Sequence, residues 1–257
     1  MKFRLASDLH FDHYSDWQNQ ETIGRLFLDG EDYDTILLAG DLANAPALEH
    51  ALELLLRGVS KPILYVPGNH DYSQGERSIH DTNNLLERLH DEGGHFWNLR
   101  DHDYPFRNKA GELKRVVGVT NWYSAAPLIV NLGRRGWYDF KYIPGFEDEL
   151  YHMNRVDTFN LKASVTEGDI VVTHMLPSWK CVHQAYQGDR ANVFFVGDRE
   201  EFILERKPAF WAFGHTHVSM NLTIGETRLA CHPRGYPHEG PDRMKQPNYW
   251  ENISYEV

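Results

Sequence analysis

Residues 208–217 read PAFWAFGHTH. The apolar run Phe210–Phe213 has the length and composition of a buried strand, and it stops at Gly214, where two histidines stand one residue apart. A strand that ends this way carries two imidazoles at its carboxyl end, the edge at which open α/β sheets bind their ligands. Working outward, the same arrangement recurs four times. Phe3–Ala6 leads into Ser7-Asp8-Leu9-His10, and Thr35–Ala39 into Gly40-Asp41. Ile63–Val66 leads through Pro67 into Gly68-Asn69-His70-Asp71, and Ile170–Thr173 leads into His174. Each cluster alone is commonplace; five of them at strand ends, in a fixed order along the chain, are expected to converge on one place.

Between these strands lie stretches with helical spacing: Thr22–Leu28, Ala47–Leu56 after Pro46, Thr82–His90 before the Gly93-Gly94 stop, and Glu147–Val165. The alternation predicts βαβ units and an α/β architecture. Shorter strands are expected at Val116–Val119, Leu222–Ile224, Thr227–Ala230 and near Ile253–Val257. The aromatic-rich segment 121–146 (NWYSAAPLIVNLGRRGWYDFKYIPGF) reads as an elaborated surface loop or small cap. Its rings are expected to pack the loop against the core rather than to stack a base. With no repeat, low-complexity tract or linker, residues 1–257 are expected to form a single domain.

Composition narrows the function classes. Hydrophobic residues at 41% and charged residues at 25% describe an ordinary globular chain with material for a core. No apolar stretch reaches the roughly 20 residues that span a bilayer, so no membrane partner is expected. The opening MKFRLASDLHFDH is too short and too charged for a signal peptide. Two cysteines, Cys181 and Cys231, exclude a disulfide framework and point to the cytoplasm. A net charge of −11 offers no basic face for phosphate neutralisation, so long nucleic acid is not expected as a partner. With 15 histidines, only patterned ones carry weight; His13, His95 and His183 fall outside the pattern and read as solvated or structural.

The ordered set Asp8-x-His10, Gly40-Asp41, Gly68-Asn69-His70-Asp71, His174 and Gly214-His215-x-His217 resembles the signature of the calcineurin-like metallophosphoesterases. The resemblance runs from Asp8 to His217 and implies a four-layer αββα sandwich, two mixed sheets flanked by helices, with a dinuclear metal centre at the strand ends. It further implies that Asp8, His10 and His217 bind one ion, that Asn69, His174 and His215 bind the other, and that Asp41 bridges them. His70 resembles the family histidine that stabilises charge or protonates the leaving oxygen, and Asp71 is expected to be an orienting or structural partner of the catalytic groups rather than a catalyst itself. Imidazole, carboxylate and amide donors without thiolate suit two divalent transition-metal ions, Mn first, then Fe, Zn or Ni. Two such ions outweigh Asp8, Asp41 and a bridging hydroxide by roughly one charge, making the pocket locally cationic within an acidic protein. The activity implied is hydrolysis of a mono- or diester of a small phosphorylated substrate, with nucleotides in scope, by attack of that hydroxide. A nuclease of this fold is the alternative, and a non-catalytic scaffold a remote one.

Two stretches depart from better-known branches. In Gly40-Asp41-Leu42-Ala43-Asn44-Ala45, Asn44 stands where protein phosphatases of the superfamily carry the aspartate that orients the catalytic histidine. Ala45 stands where they carry a phosphate-gripping arginine. The tail His232-Pro233-Arg234-Gly235-Tyr236 resembles the Asn-Pro-Arg-Gly-Tyr ending of small bacterial and phage-type relatives, with His232 in place of asparagine. Arg234 is therefore a candidate substitute for the missing arginine, as a substrate-binding residue.

Overall fold

The computed structural model describes residues 1–28, 30, 32–92, 94–239 and 253–257; Gly93, half of the expected glycine stop, lies outside them. Two mixed sheets stack face to face. The first contains β1 (Lys2–Ala6), β2 (Thr35–Ala39), β3 (Ile63–Val66) and β4 (Phe96–Asn98) in parallel. A last strand, Ser254–Glu256, adds antiparallel to the free edge of β1. The second sheet begins with β5 (Tyr104–Arg107), antiparallel to β6 (Leu113–Val119). Next come β7 (Ile170–Thr173) and β8 (Phe210–Phe213), both parallel to β6. β9 (Met220–Ile224) and β10 (Thr227–Cys231) close it, with β10 against β8 and β9 on the edge. The C-terminal strand is numbered β11.

The central strands are apolar on both faces because both faces are covered. Phe3 and Leu5 of β1, Leu37 and Ala39 of β2, and Leu64 and Val66 of β3 point at the second sheet. There they meet Val116, Ile170, Val172, Phe210 and Ala212. Their alternates Ala6, Ile36, Leu38, Ile63 and Tyr65 point at the helices. Gly118 on β6 lets the sheets approach: a Cβ there would collide with Val66 and Leu99.

Helix α1 (Asp16–Ile23) starts earlier than the periodicity of Thr22–Leu28 predicts; Ser15 and Gln18 form a capping box ahead of it, and Gly24–Leu28 is a π turn. In α2 (Leu48–Gly58), Leu48, Ala51, Leu52 and Leu55 form the buried stripe. α3 (Ile79–Asp91) packs Leu85 and Leu86 into the same layer. The segment 121–146 is more ordered than a surface loop. It holds α4 (Pro127–Gly133) and α5 (Tyr138–Tyr142), and it buries Trp122, Tyr123, Ile143 and Phe146 against Leu150, Met153 and Phe194. Leu150 and Met153 belong to α6 (Phe146–Ser164), which with α7 (Glu200–Arg206) covers the outer face of the second sheet. No helix among the described residues is long and apolar enough to cross a membrane.

Candidate metal centre

The ligand-type residues sit where strands stop, in backbone that L-residues rarely adopt. Asp8, His10, Asp41 and His215 have φ of 49°, 44°, 55° and 64°, left-handed values that persist only where surrounding contacts enforce them. Those contacts are present. Asp8 N–H donates to Gly40 O at 2.9 Å and His10 N–H to Asp41 O at 3.1 Å. The His215 N–H donates to Asp8 Oδ1 at 3.0 Å, and the His70 N–H to Asp41 Oδ1 at 2.8 Å. Gly40 (φ 81°) is needed at the crossing, since a Cβ would collide with His174 Nδ1 and the Gly68 nitrogen.

Two groups of donors result. Asp8, His10 and His217 form one; Asp41, His174 and His215 form the other, and within each the donor atoms lie within 4.8 Å of one another. Asp41 Oδ2 reaches toward both, 3.4 Å from His174 Nε2 and 3.9 Å from His10 Nε2. Asn69 Oδ1 stands 3.1 Å from His174 Nε2. Two of the outward nitrogens are tied down: His174 Nδ1 bonds Ala39 O at 2.9 Å and His217 Nδ1 bonds Glu239 Oε2 at 2.6 Å. An Nδ1–H spent in this way leaves the Nε2 lone pair facing inward, the orientation a metal-ligating histidine needs. Asp139 does the same for Asn69, accepting its Nδ2–H at 2.8 Å so that its oxygen turns toward His174. Tyr123 and Trp137 hold Asp139 through its other oxygen.

The residues fit divalent ions. Asp8 Oδ2 is buried without a hydrogen-bond partner, a costly state in an otherwise well-bonded site, and ring nitrogens face one another at 3.2 Å in both groups, His10 Nε2 against His217 Nε2 and His174 Nε2 against His215 Nδ1. The nitrogen and oxygen donors match a transition metal in kind. Burial pushes His10 and His215 well below the ordinary histidine range, keeping both neutral as ligation requires. Burial opposes charge on Asp41 too, but His174 and His70 outweigh it and hold the carboxyl well below its usual range. Burial likewise works against a proton on His174, yet Asp41 raises it to about 9. On His217 burial is outweighed by Glu239 and Asp8. His174 and His217 must shed these protons to coordinate, so occupancy is linked to pH.

His70 stands beside the groups, its ring 4.9 Å edge-on to His10 and stacked 4.6 Å from Tyr138. Tyr138 Oη lies 3.3 Å from its Nδ1 and Tyr236 Oη 3.1 Å from its Nε2. Burial lowers its pKa from the ordinary value. Asn44 does not orient it, contrary to the sequence expectation. Its oxygen accepts from the Ala47 N–H and its amide donates to Gln74, because the chain turns into α2 at that point. Asp71 does not face the His70 ring either; its carboxylate gathers the N–H groups of Asp41, Leu42, Ala43 and Gly68, knitting two strand ends together.

Arg234 also departs from expectation. It is buried behind the site, donating to Asn19 at 2.8 Å with its guanidinium 3.4 Å over the Tyr14 ring, and it does not line the cleft. The residues that sequence reasoning missed are Tyr138, Asp139, Tyr236 and Glu239. Tyr236 lay within the quoted tail, whereas nothing in 121–146 singled out Asp139. Both donor groups open on a cleft of about 460 Å³ that Asp41, Asn69, His215 and His217 floor. His183, read as unpatterned, also lines it.

The profile of the calcineurin-like phosphoesterases matches residues 1–219. An uncharacterized protein of Acanthamoeba polyphaga mimivirus is 24% identical over 92% of this chain and 91% of its own length. Among solved structures, the phosphopantetheinyl hydrolase PptH of Mycobacterium tuberculosis superposes with a TM-score of 0.73 at 17% identity, covering all of this chain and 95% of that one. TT1561 of Thermus thermophilus superposes at 0.57 with 14% identity, covering 91% of this chain and 89% of that one. At these identities the superpositions speak for the fold. Because the matched profile runs through every strand end that carries a candidate ligand, the chain belongs to the calcineurin-like phosphoesterase family.

Proposed function

We propose that this protein is a dinuclear-metal phosphoesterase acting on a mono- or diester of a small phosphorylated compound. The observation that carries the reading is Asp41 Oδ2 standing within 4.0 Å of a histidine nitrogen in each of two donor groups, on the floor of an open cleft. Asp8, His10 and His217 would hold one ion and Asn69, His174 and His215 the other, with Asp41 common to both. Bound there, two divalent ions supply Lewis acidity, a nucleophile at neutral pH and a clamp on phosphoryl oxygens. The chain's own part is positioning and proton handling. His70 presents Nε2 toward the cleft against the Tyr236 hydroxyl, so a substrate oxygen that engages Nε2 replaces that contact. In its protonated form this ring would donate to the leaving oxygen and return to the neutral imidazole. The two cysteines are buried free thiols, which supports placement in a reducing cytoplasm.

Hydrolysis of p-nitrophenyl phosphate and bis(p-nitrophenyl) phosphate with Mn(II), Fe(II), Zn(II) or Ni(II) tests this directly. Turnover should require metal and vanish in EDTA, and preference between the two esters assigns monoesterase or diesterase. A phosphopantetheinyl compound belongs in the panel, because the structure that superposes with a TM-score of 0.73 is that of a phosphopantetheinyl hydrolase. Asp41→Ala and His215→Ala should each cost more than the ~10–100-fold typical of losing an outer partner of a ligand. Full turnover by either variant, or turnover indifferent to chelation, would sink the assignment.

A further inference from the structure

The cleft extends well past the donor groups, and its far part is built from side chains that the metal chemistry does not use. At about 460 Å³ it falls within the range of pockets that bury most of a drug-sized ligand, far more than one phosphoryl group needs. Its walls are Trp137, Leu176, Val182, Tyr186, Phe195 and Val218. They come from three parts of the chain, Val218 from the loop that follows β8. Trp137 precedes α5, and residues 176–195 form the connection after β7, a run of 3-10 turns. The walls lock at their base, where Trp137 stacks on Phe194 at 4.3 Å and meets Phe195 edge-on at 5.7 Å. Trp137 is also pinned by its indole N–H on Asp139, 3.1 Å away, the same carboxylate that turns Asn69. The apolar wall and the metal-facing amide are therefore one rigid unit. Phe195 packs 4.4 Å from the His215 ring, so the apolar surface begins at the donor groups themselves.

Taking the phosphoesterase reading as given, we infer that this wall is a subsite for the organic group of the substrate, and that the group is uncharged and apolar or aromatic. An apolar group entering here is removed from water at roughly 25 cal/mol per Å². A second phosphate or a carboxylate would instead lose its hydration against Leu176, Val182 and Phe195. It would also approach Asp189 at the rim, whose carboxylate is already committed to the Ala191 N–H. The substrate class assigned is a phosphoester of a neutral, elongated alcohol or phenol, in preference to nucleoside polyphosphates or sugar bisphosphates.

Phosphonates, which do not hydrolyse, separate binding from catalysis. Titration calorimetry with methylphosphonate, octylphosphonate and an octylphosphonate bearing a terminal carboxylate, on Mn(II)-loaded protein, should give an order. The octyl compound should bind at least about tenfold tighter than methyl, and the carboxylate should forfeit most of that gain. In Tyr186→Ala, an exposed position where folding is not at stake, the octyl-to-methyl ratio should narrow severalfold; Val182→Asp should narrow it further. A ratio near one in the unsubstituted protein overturns the subsite, as does a ratio that neither variant changes or tighter binding of the carboxylate. Turnover measured on the same preparation is separate: a steep ratio without turnover sustains the subsite and overturns the catalytic reading, and a flat ratio with turnover does the reverse.

Discussion

The ring of His70 sits between two phenols, with the Tyr138 hydroxyl 3.3 Å from Nδ1 and the Tyr236 hydroxyl 3.1 Å from Nε2. The second motif offers Asn44 for the orienting role, but that side chain is committed to the first turn of α2. A neutral hydroxyl orients an imidazole without the charge that would raise its pKa, consistent with the depressed value that burial gives His70. If Tyr138 positions this ring, Tyr138→Phe keeps the stack but removes the hydroxyl that meets His70 Nδ1, Ser73 Oγ and the Gln74 amide; of these the His70 bond, a net ~0.5–1.5 kcal/mol, bears on the rate. kcat should then fall about threefold to tenfold with KM little changed, and the loss should grow as the leaving group becomes more basic from p-nitrophenol to phenol. Asn44→Ala should leave kcat near that of the parent. Steady-state kinetics on both esters decides: a KM effect alone would make Tyr138 a substrate contact, and an equal kcat loss in Asn44→Ala would restore the orienting role to Asn44.

At the scale of elements, α6 governs how the chain leaves β6 toward the cleft. Asp157 Oδ2 accepts the Trp122 N–H at 3.0 Å, and Asn154 donates to the carbonyls of Trp122 and Tyr123. Burial pushes Asp157 from 3.8 up to about 6 despite these bonds and the neighbouring Arg100. The folded state thus binds this proton more tightly than the unfolded state. Its contribution is fully present below about pH 4 and is lost as pH rises through 6. Asp157→Asn keeps the acceptor oxygen and removes the titration. Between pH 4 and 7 the stability gap should therefore tilt toward the variant by up to ~3 kcal/mol, measured by urea unfolding at each pH with Mn(II) held constant. A gap that does not change with pH would show that Asp157 ionises freely in the folded protein. The same region shows where sequence reading stops. Thr35–Ala39, Ile63–Val66, Ile170–Thr173 and Phe210–Phe213 are legible to the residue because each is a doubly buried apolar run that ends in a ligand cluster. Tyr104–Arg107 contains a proline and an exposed face, so no such run announces it. Asp139 has no motif of its own: it matters because α5 lands beside Asn69, a tertiary fact invisible in residues 121–146 read alone.

Across the whole molecule, the donor groups straddle the two sheets. Asp8 and His10 follow β1, Asp41 follows β2 and Asn69 follows β3 in one sheet, whereas His174 follows β7 and His215 and His217 follow β8 in the other. Ions held by both sets would pin the sheets together at one end. None of these residues belongs to the apolar core between the sheets, which is built from Phe3, Leu37, Leu64, Ile170 and Phe210 among others. Metal binding should therefore add to a fold that already stands. A ligand that binds only the folded state adds about 2.7 kcal/mol at one hundred times its Kd and about 4.1 kcal/mol at one thousand times. For a chain of this length that raises Tm by roughly 5–15 °C. Scanning calorimetry should show Tm climbing with the logarithm of Mn(II) concentration, and EDTA-treated protein should remain folded at 25 °C. His174→Ala, which removes a donor on the second sheet, should flatten the climb. A Tm indifferent to Mn(II), Zn(II) and EDTA alike would mean that these donors hold no exchangeable ion. Unfolding by EDTA at 25 °C would instead make the centre a structural staple, because a site the fold cannot do without leaves no separable catalytic role for its ions.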